Sequence, residues 1–240
     1  MEFKTRYHYD HSRDLLGKGG FSRVYRATDT LLDRTVALKI FSGTTGKYGS
    51  VLAEIRRAIR LEHPNLCRYY DVVLLESQNP FGETDTTEVG VMEYLNGGDL
   101  RQFWQHAPDD TRRKLLLDVL HGLTYLHQNG IIHRDMKAQN VLIKNDGPAP
   151  VAKITDFGIS KTLADTGQSS VLMGTLEYMA PEQFSPAQFG VDGKIGTNVD
   201  LWGFGVMLYQ LLTGETLFGS ADSTSTVEMM NVILQRDLIG

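Results

Sequence analysis

The chain has 240 residues, 41% hydrophobic and 22% charged, with a formal net charge of −5 at pH 7. That balance belongs to a folded chain with a sizeable core in one domain or a two-lobed unit, and its sign argues against bulk binding to nucleic acid or anionic membrane. A single cysteine, Cys67, excludes an intrachain disulfide framework and predicts a reducing, cytoplasmic setting.

The N-terminus has no apolar stretch of signal-peptide type, and the most apolar run, 201–212, is too short to span a bilayer. No membrane segment is therefore expected. The first third reads as β-rich. Short β-compatible runs at 15–16, 22–27 and 35–41 are separated by Gly17, Gly19, Gly20 and a turn at 29–34, which predicts antiparallel hairpins. A helix fits 50–62, with Ser50 as N-cap, Val51, Leu52, Ile55 and Ile59 on one face, and Pro64 as its stop. Runs 69–75 and 88–94 predict two further strands around a polar exposed loop, 78–87. Asn96-Gly97-Gly98 then reads as a linker to a larger helical part.

Residues 111–129 predict an amphipathic helix, with Leu115, Leu116, Val119, Leu120, Leu123 and Leu126 as its stripe and Gly130 as its C′ cap. Residues 200–213 are apolar nearly all round, which predicts a buried helix ending at Gly214.

Two stretches carry chemistry. The first is Leu16-Gly17-Lys18-Gly19-Gly20-Phe21-Ser22-Arg23-Val24, a glycine-rich turn between strands. Bare backbone at Gly17 and Gly19 would let amide N–H groups approach phosphate oxygens, although an ordinary glycine hairpin has the same pattern. Lys39 follows in an apolar strand. It is either an edge residue pointing to solvent or an inward lysine kept charged by a carboxylate, for which Glu54 on the next helix is the candidate.

The second stretch is His133-Arg134-Asp135-Met136-Lys137-Ala138-Gln139-Asn140, followed sixteen residues later by Asp156-Phe157-Gly158. Two acids and one amide on loops flanking short strands form a hard-oxygen set suited to Mg²⁺. Asp135 is then available as base or orienter for a hydroxyl nucleophile, and Lys137 to neutralise a transferring phosphoryl group. Taken singly, Asp135 also fits a surface turn and Asp156 a helix cap.

With these residues in order, the chain resembles the eukaryotic-type (Hanks-type) serine/threonine protein kinase family over nearly all its length. The resemblance implies an α+β, bilobal protein-kinase-like fold. A small N-lobe (about 1–94) would hold an antiparallel sheet and one helix, a hinge would lie near 93–98, and a mostly helical C-lobe (about 99–240) would be incomplete at its end. The 16–24 stretch resembles the family's glycine-rich loop, with Ser22 in place of the third glycine. By similarity Lys39 would bind the α/β-phosphates with Glu54 as ion-pair partner. Val24, Ala37 and Leu142 would sandwich adenine, Met92 would line the back of its site, the Glu93 and Leu95 backbones would bond it, and Asp99 would reach the ribose. Asp135 matches the catalytic base, and Asn140 and Asp156 the ligands of Mg²⁺ or Mn²⁺. Lys137 and Thr175 are the Ser/Thr-type residues, and Ala180-Pro181-Glu182 matches the end of the activation segment. ATP and protein Ser/Thr substrates are therefore expected; a small-metabolite kinase fits these last features less well.

Arg134 and Lys161 resemble the basic pair that receives an activation-loop phosphate, and Ser169 or Ser170, ahead of Thr166, are the expected autophosphorylation sites. Plain loop solvation is the alternative for those serines. Self-association would serve phosphorylation in trans. The chain runs 58 residues past Glu182, short of the segment where the family usually supplies an arginine for that glutamate. Glu182 is expected to lack that partner, and the chain to be a piece of a longer kinase or a lobe closed in another way. A non-catalytic, kinase-fold nucleotide-binding scaffold is the competing reading; the intact Lys39, Asp135 and Asp156 speak against it.

Overall fold

The computed structural model describes residues 2–19, 22–41, 51–78, 84–157, 176–219 and 225–235. It divides into two compact units, 1–96 and 97–240. Among the described residues no helix is long and apolar enough to cross a membrane.

The first unit opens with a one-turn helix α1 (Phe3–Arg6) and continues as β1 (Tyr7–His8), β2 (Leu15–Lys18), β3 (Ser22–Asp29), β4 (Arg34–Phe41), α2 (Val51–Ala58), β5 (Tyr69–Gln78) and β6 (Thr84–Glu93). These strands form one antiparallel sheet in the order β1-β3-β4-β6-β5, with β2 also on β3. Alternation in β3 sends Tyr25, Ala27 and Asp29 inward. Tyr7, Ala27, Val36, Leu38, Val89 and Val91 form the core. The N-terminal segment is built into this core. Arg6 grips the buried Asp29 through two hydrogen bonds of 2.9 and 3.0 Å, and Thr30 N–H donates to Arg6 O. Strands β5 and β6 run further than their polar sequence suggests. Gln78 pairs with Thr84 in register, so much of the expected 78–87 loop is ladder. Thr84, Thr86 and Thr87 are β-branched, and a polar side chain is no obstacle on an exposed strand face.

The second unit comprises α3 (Leu100–Trp104), α4 (Asp109–Gln128), a 3₁₀ turn (Ala138–Asn140), the hairpin β7 (Val141–Lys144) and β8 (Val151–Ile154), a second 3₁₀ turn (Leu176–Tyr178), α5 (Pro181–Phe184), α6 (Pro186–Phe189), α7 (Asn198–Thr213) and α8 (Thr226–Gln235). Helix α4 buries Leu115, Val119, Leu123 and Leu126 as expected. It ends where Gly130, at φ +71°, completes a Schellman cap with Ile131 N–H on Leu126 O. Asp118 lies in the same buried stripe, because its carboxylate accepts from Ala152 N–H at 3.0 Å and from Lys114 at 2.7 Å, tying α4 to β8.

Helix α7 departs from expectation. Its buried face is Val199, Asp200, Gly203, Val206, Met207, Gln210 and Leu211, while Leu201 and Leu212 are 53% and 68% exposed among the described residues. Apolarity all round cannot distinguish a helix buried on one face from one buried on every face.

Candidate active site

In the first unit the glycine turn is an open β2–β3 hairpin. All of β2 is exposed, Gly17 pairs with Val24 and Lys18 with Arg23, and Gly19 N–H donates to Ser22 O at 2.8 Å. A Cβ added at Gly17 would meet no atom of the described residues within 4 Å, and its φ is not positive. Among the described residues, neither packing nor backbone strain therefore requires glycine there. Leu16 is exposed, Ser22 and Val24 half-buried, and Gly20 lies outside the described residues.

Lys39 is no edge residue. It sits in β4, between β3 and β6, opposite Val24 and Gly90, and is buried. Its ammonium lies 5.5 Å from the centre of the Phe41 ring. A buried lysine stays charged only beside compensating groups. The side chain of Glu54 lies outside the described residues. Ala37 and Met92 are buried and pair in register. Glu93 N–H is taken by Arg68 O at 2.8 Å.

In the second unit the candidate catalytic stretch, 133–140, is a loop held from several sides. The Asp200 carboxylate, fully buried on α7, accepts from His133 N–H at 2.9 Å, from Arg134 N–H at 2.7 Å, and contacts His127 Nε2 at 2.7 Å. The buried His133 ring contacts Thr155 O through Nε2 at 2.8 Å and accepts from Asp135 N–H through Nδ1 at 3.3 Å. A Cβ added at Gly203 of α7 would lie 2.9 Å from Met136 O, so helix and loop touch backbone to backbone.

On this frame stands Asp135, partly exposed. Lys137 Nζ donates to both its carboxylate oxygens, at 3.1 and 2.9 Å, and Asn140 Nδ2 donates to its Oδ2 at 2.9 Å and its carbonyl at 2.6 Å. Hairpin β7–β8 pairs Val141 with Ile154, and Thr155 N–H donates to Asn140 O at 2.8 Å. The two candidate metal ligands, Asn140 and Asp156, thus flank the open end of one hairpin. Asp156 has φ +61°, and Phe157 after it is fully buried. Among the described residues no three His, Cys, Asp or Glu side chains gather as a self-sufficient metal cage. One amide oxygen and one carboxylate fit Mg²⁺, which keeps water and phosphate oxygens as its remaining ligands.

Asp99 caps α3 by accepting from Gln102 N–H at 2.8 Å, and it forms a bridge with Leu142. Lys161, Thr166, Ser169, Ser170 and Thr175 lie outside the described residues.

Several contacts were not indicated by the sequence. Glu182, buried on α5, accepts from Asn198 Nδ2 at the start of α7. Tyr178 donates to Gln210 Oε1, and burial pushes its phenol above the ordinary range. Gln183 accepts from Ala180 N–H at the start of its own helix and donates to Arg134 O in the 133–140 loop.

A protein kinase domain model matches residues 10–238. The chain is 33% identical over 230 residues to the serine/threonine-protein kinase PknB of Mycobacterium tuberculosis (strain ATCC 25177 / H37Ra), covering 91% of this chain and 34% of that protein. It is 32% identical over 220 residues to the serine/threonine-protein kinase RAD53 of Saccharomyces cerevisiae, covering 87% of this chain and 26% of that protein. It is also similar to the crystal structure of Rad53 1-466 in complex with AMP-PNP, with a TM-score of 0.69 at 29% identity, covering 95% of this chain and 53% of that one. The expected α+β kinase fold is borne out by that likeness. The chain spans about a quarter to a third of the length of these sequence relatives.

Proposed function

The chain belongs to the protein kinase domain family, and from that membership we propose that it transfers the γ-phosphoryl group of ATP to Ser and Thr hydroxyls of protein substrates. The observation that carries the proposal is Asp135, a carboxylate bonded by Lys137 and Asn140 on a loop pinned to the buried Asp200.

Asp135 accepts the proton of the attacking hydroxyl. The hydroxyl oxygen forms its bond to the γ-phosphorus as the bond to the bridging oxygen of ADP breaks. Lys137, 2.9 Å from the Asp135 carboxylate, supplies positive charge beside the transferring group. Asn140, through Oδ1, and Asp156 would hold Mg²⁺, or Mn²⁺, which when bound neutralises charge on the phosphate oxygens. Lys39 binds the α/β-phosphates with Glu54 as its partner, and the amides at Gly17 and Gly19 approach them. Val24, Ala37, Met92, Leu142 and the Glu93 and Leu95 backbones take adenine, and Asp99 the ribose. We place this work in the cytoplasm, the reducing setting in which a lone cysteine such as Cys67 stays a thiol.

Autophosphorylation at Ser169 or Ser170, in trans between two copies, would place a phosphate on Arg134 and Lys161. Supporting this, the buried Arg134 Nε has no hydrogen-bond partner among the described residues.

Incubation with Mg·ATP and a generic protein substrate is expected to give phosphoserine and phosphothreonine, together with phosphate mapped to 169–170. Nucleotide binding with no transfer would favour the scaffold reading instead.

A further inference from the structure

We infer that Gln183 is a positioning residue for Asp135, its carboxamide holding the Arg134–Asp135 peptide while Asp200 holds the peptide before it. The inference deepens the kinase reading and rests on it. Gln183 is 6% exposed. Its Oε1 accepts from Ala180 N–H at 3.0 Å, and its Nε2 donates to Arg134 O at 3.0 Å. One amide thus serves the start of α5 and a loop 49 residues earlier in the chain.

The backbone at Arg134 needs such a hold. Its φ is +65°, a left-handed conformation that a non-glycine residue keeps only where its surroundings over-determine it. The peptide before Arg134 is fixed by Asp200 Oδ1 on Arg134 N–H. The peptide after it is planar, so Arg134 O and Asp135 N–H turn as one body. Gln183 holds the oxygen end, and His133 Nδ1 holds the N–H end with a longer contact of 3.3 Å. The bonds that Lys137 and Asn140 make to Asp135 come from the same loop and move with it. Gln183 comes from another element and therefore fixes the loop against the rest of the unit. Misplacing a reacting group by about 1 Å costs on the order of 10²-fold in rate.

The simpler account is that Gln183 only caps α5. Gln183→Glu separates the two, because glutamate keeps an acceptor for Ala180 N–H, loses the donor to Arg134 O and sets negative charge against that carbonyl. Gln183→Met removes both bonds without adding charge. The readouts are hydrogen exchange at the Asp135 amide in the full chain and steady-state phosphoryl transfer from Mg·ATP. For Gln183→Glu we expect exchange at Asp135 to rise at least about tenfold, with α7 amides as protected as in wild type. We expect kcat to fall about 10- to 100-fold and KM for ATP to stay within about twofold.

Unchanged exchange at Asp135 overturns the inference, and so does raised exchange with unchanged kcat. If Gln183→Glu loses α7 protection as well, the same two readouts on Gln183→Met decide. A wild-type chain that transfers no phosphate refutes the kinase reading alone; the exchange data still decide whether the clamp exists.

Discussion

At the β2–β3 turn all four residues of β2 are exposed, and a Cβ at Gly17 would meet no atom of the described residues within 4 Å. At the loop 133–140, backbone groups are instead taken by side chains from α5 and α7, and Asp135 is bonded within the loop on both carboxylate oxygens. The turn owes its shape to a main-chain ladder, and its side chains contribute little to holding it. The loop owes its shape to buried polar groups far away in sequence. Under the proposed function the difference separates two demands: a surface that must accommodate phosphates keeps its backbone bare, and a base that must be aimed is overdetermined. Substitutions at the turn should therefore alter nucleotide binding with little effect on stability, and substitutions around the loop should alter both stability and rate.

The largest expected effect is at Asp200. Asp200→Ala strands two buried N–H groups and removes the partner of His127, and should cost about 3–5 kcal/mol in urea unfolding. A loss below about 1 kcal/mol would mean the loop is held by other groups.

A smaller effect is expected at the other end of β3. The Arg6 hydrogen bonds hold the Asp29 carboxyl below the ordinary carboxylate range, while burial opposes them. A lowered native pKa contributes stability that is present above about pH 4 and lost as pH falls through the native value. Arg6→Ala should therefore cost about 2 kcal/mol near pH 7, with Arg34 3.8 Å from Asp29 as the residual partner. Wild type should lose stability more steeply than Arg6→Ala as pH falls below about 4, read from denaturation midpoints at each pH. Parallel acid limbs would contradict this. Residues 2–9 precede the matched kinase region, so the measurement also shows how far the unit depends on them.

The smallest stability effect is expected at Gly17. Gly17→Ala should change unfolding by no more than about 0.5 kcal/mol while weakening ATP binding about tenfold, measured by titration calorimetry. Destabilisation larger than the binding loss would erase the contrast between the two regions.

Much of this was legible in the sequence. Alternation and glycine spacing located β2, β3 and β4, and the buried stripe and cap of α4 followed from its leucines and Gly130. The residues of the loop were identifiable by type and order, because hard-oxygen chemistry restricts the choices. Their holders were less visible. Asp200 gave a signal, since one carboxylate in an apolar run must find donors if it is buried, but the run did not name His133 and Arg134 as those donors. Gln183 and Asn198 gave none, because an amide on a short helix reads as surface until tertiary structure supplies its partner. The exposure of Leu201 and Leu212 was hidden for the same reason: composition records apolarity and is silent about which face is covered.

The most direct test compares wild type with Asp135→Asn for single-turnover transfer of the labelled γ-phosphate at saturating Mg·ATP and protein substrate. The carboxamide preserves shape and removes the proton acceptor, so transfer should fall about 10³-fold while ATP affinity stays within about twofold. Equal transfer rates for the two proteins would contradict the role of Asp135 and the activity built on it.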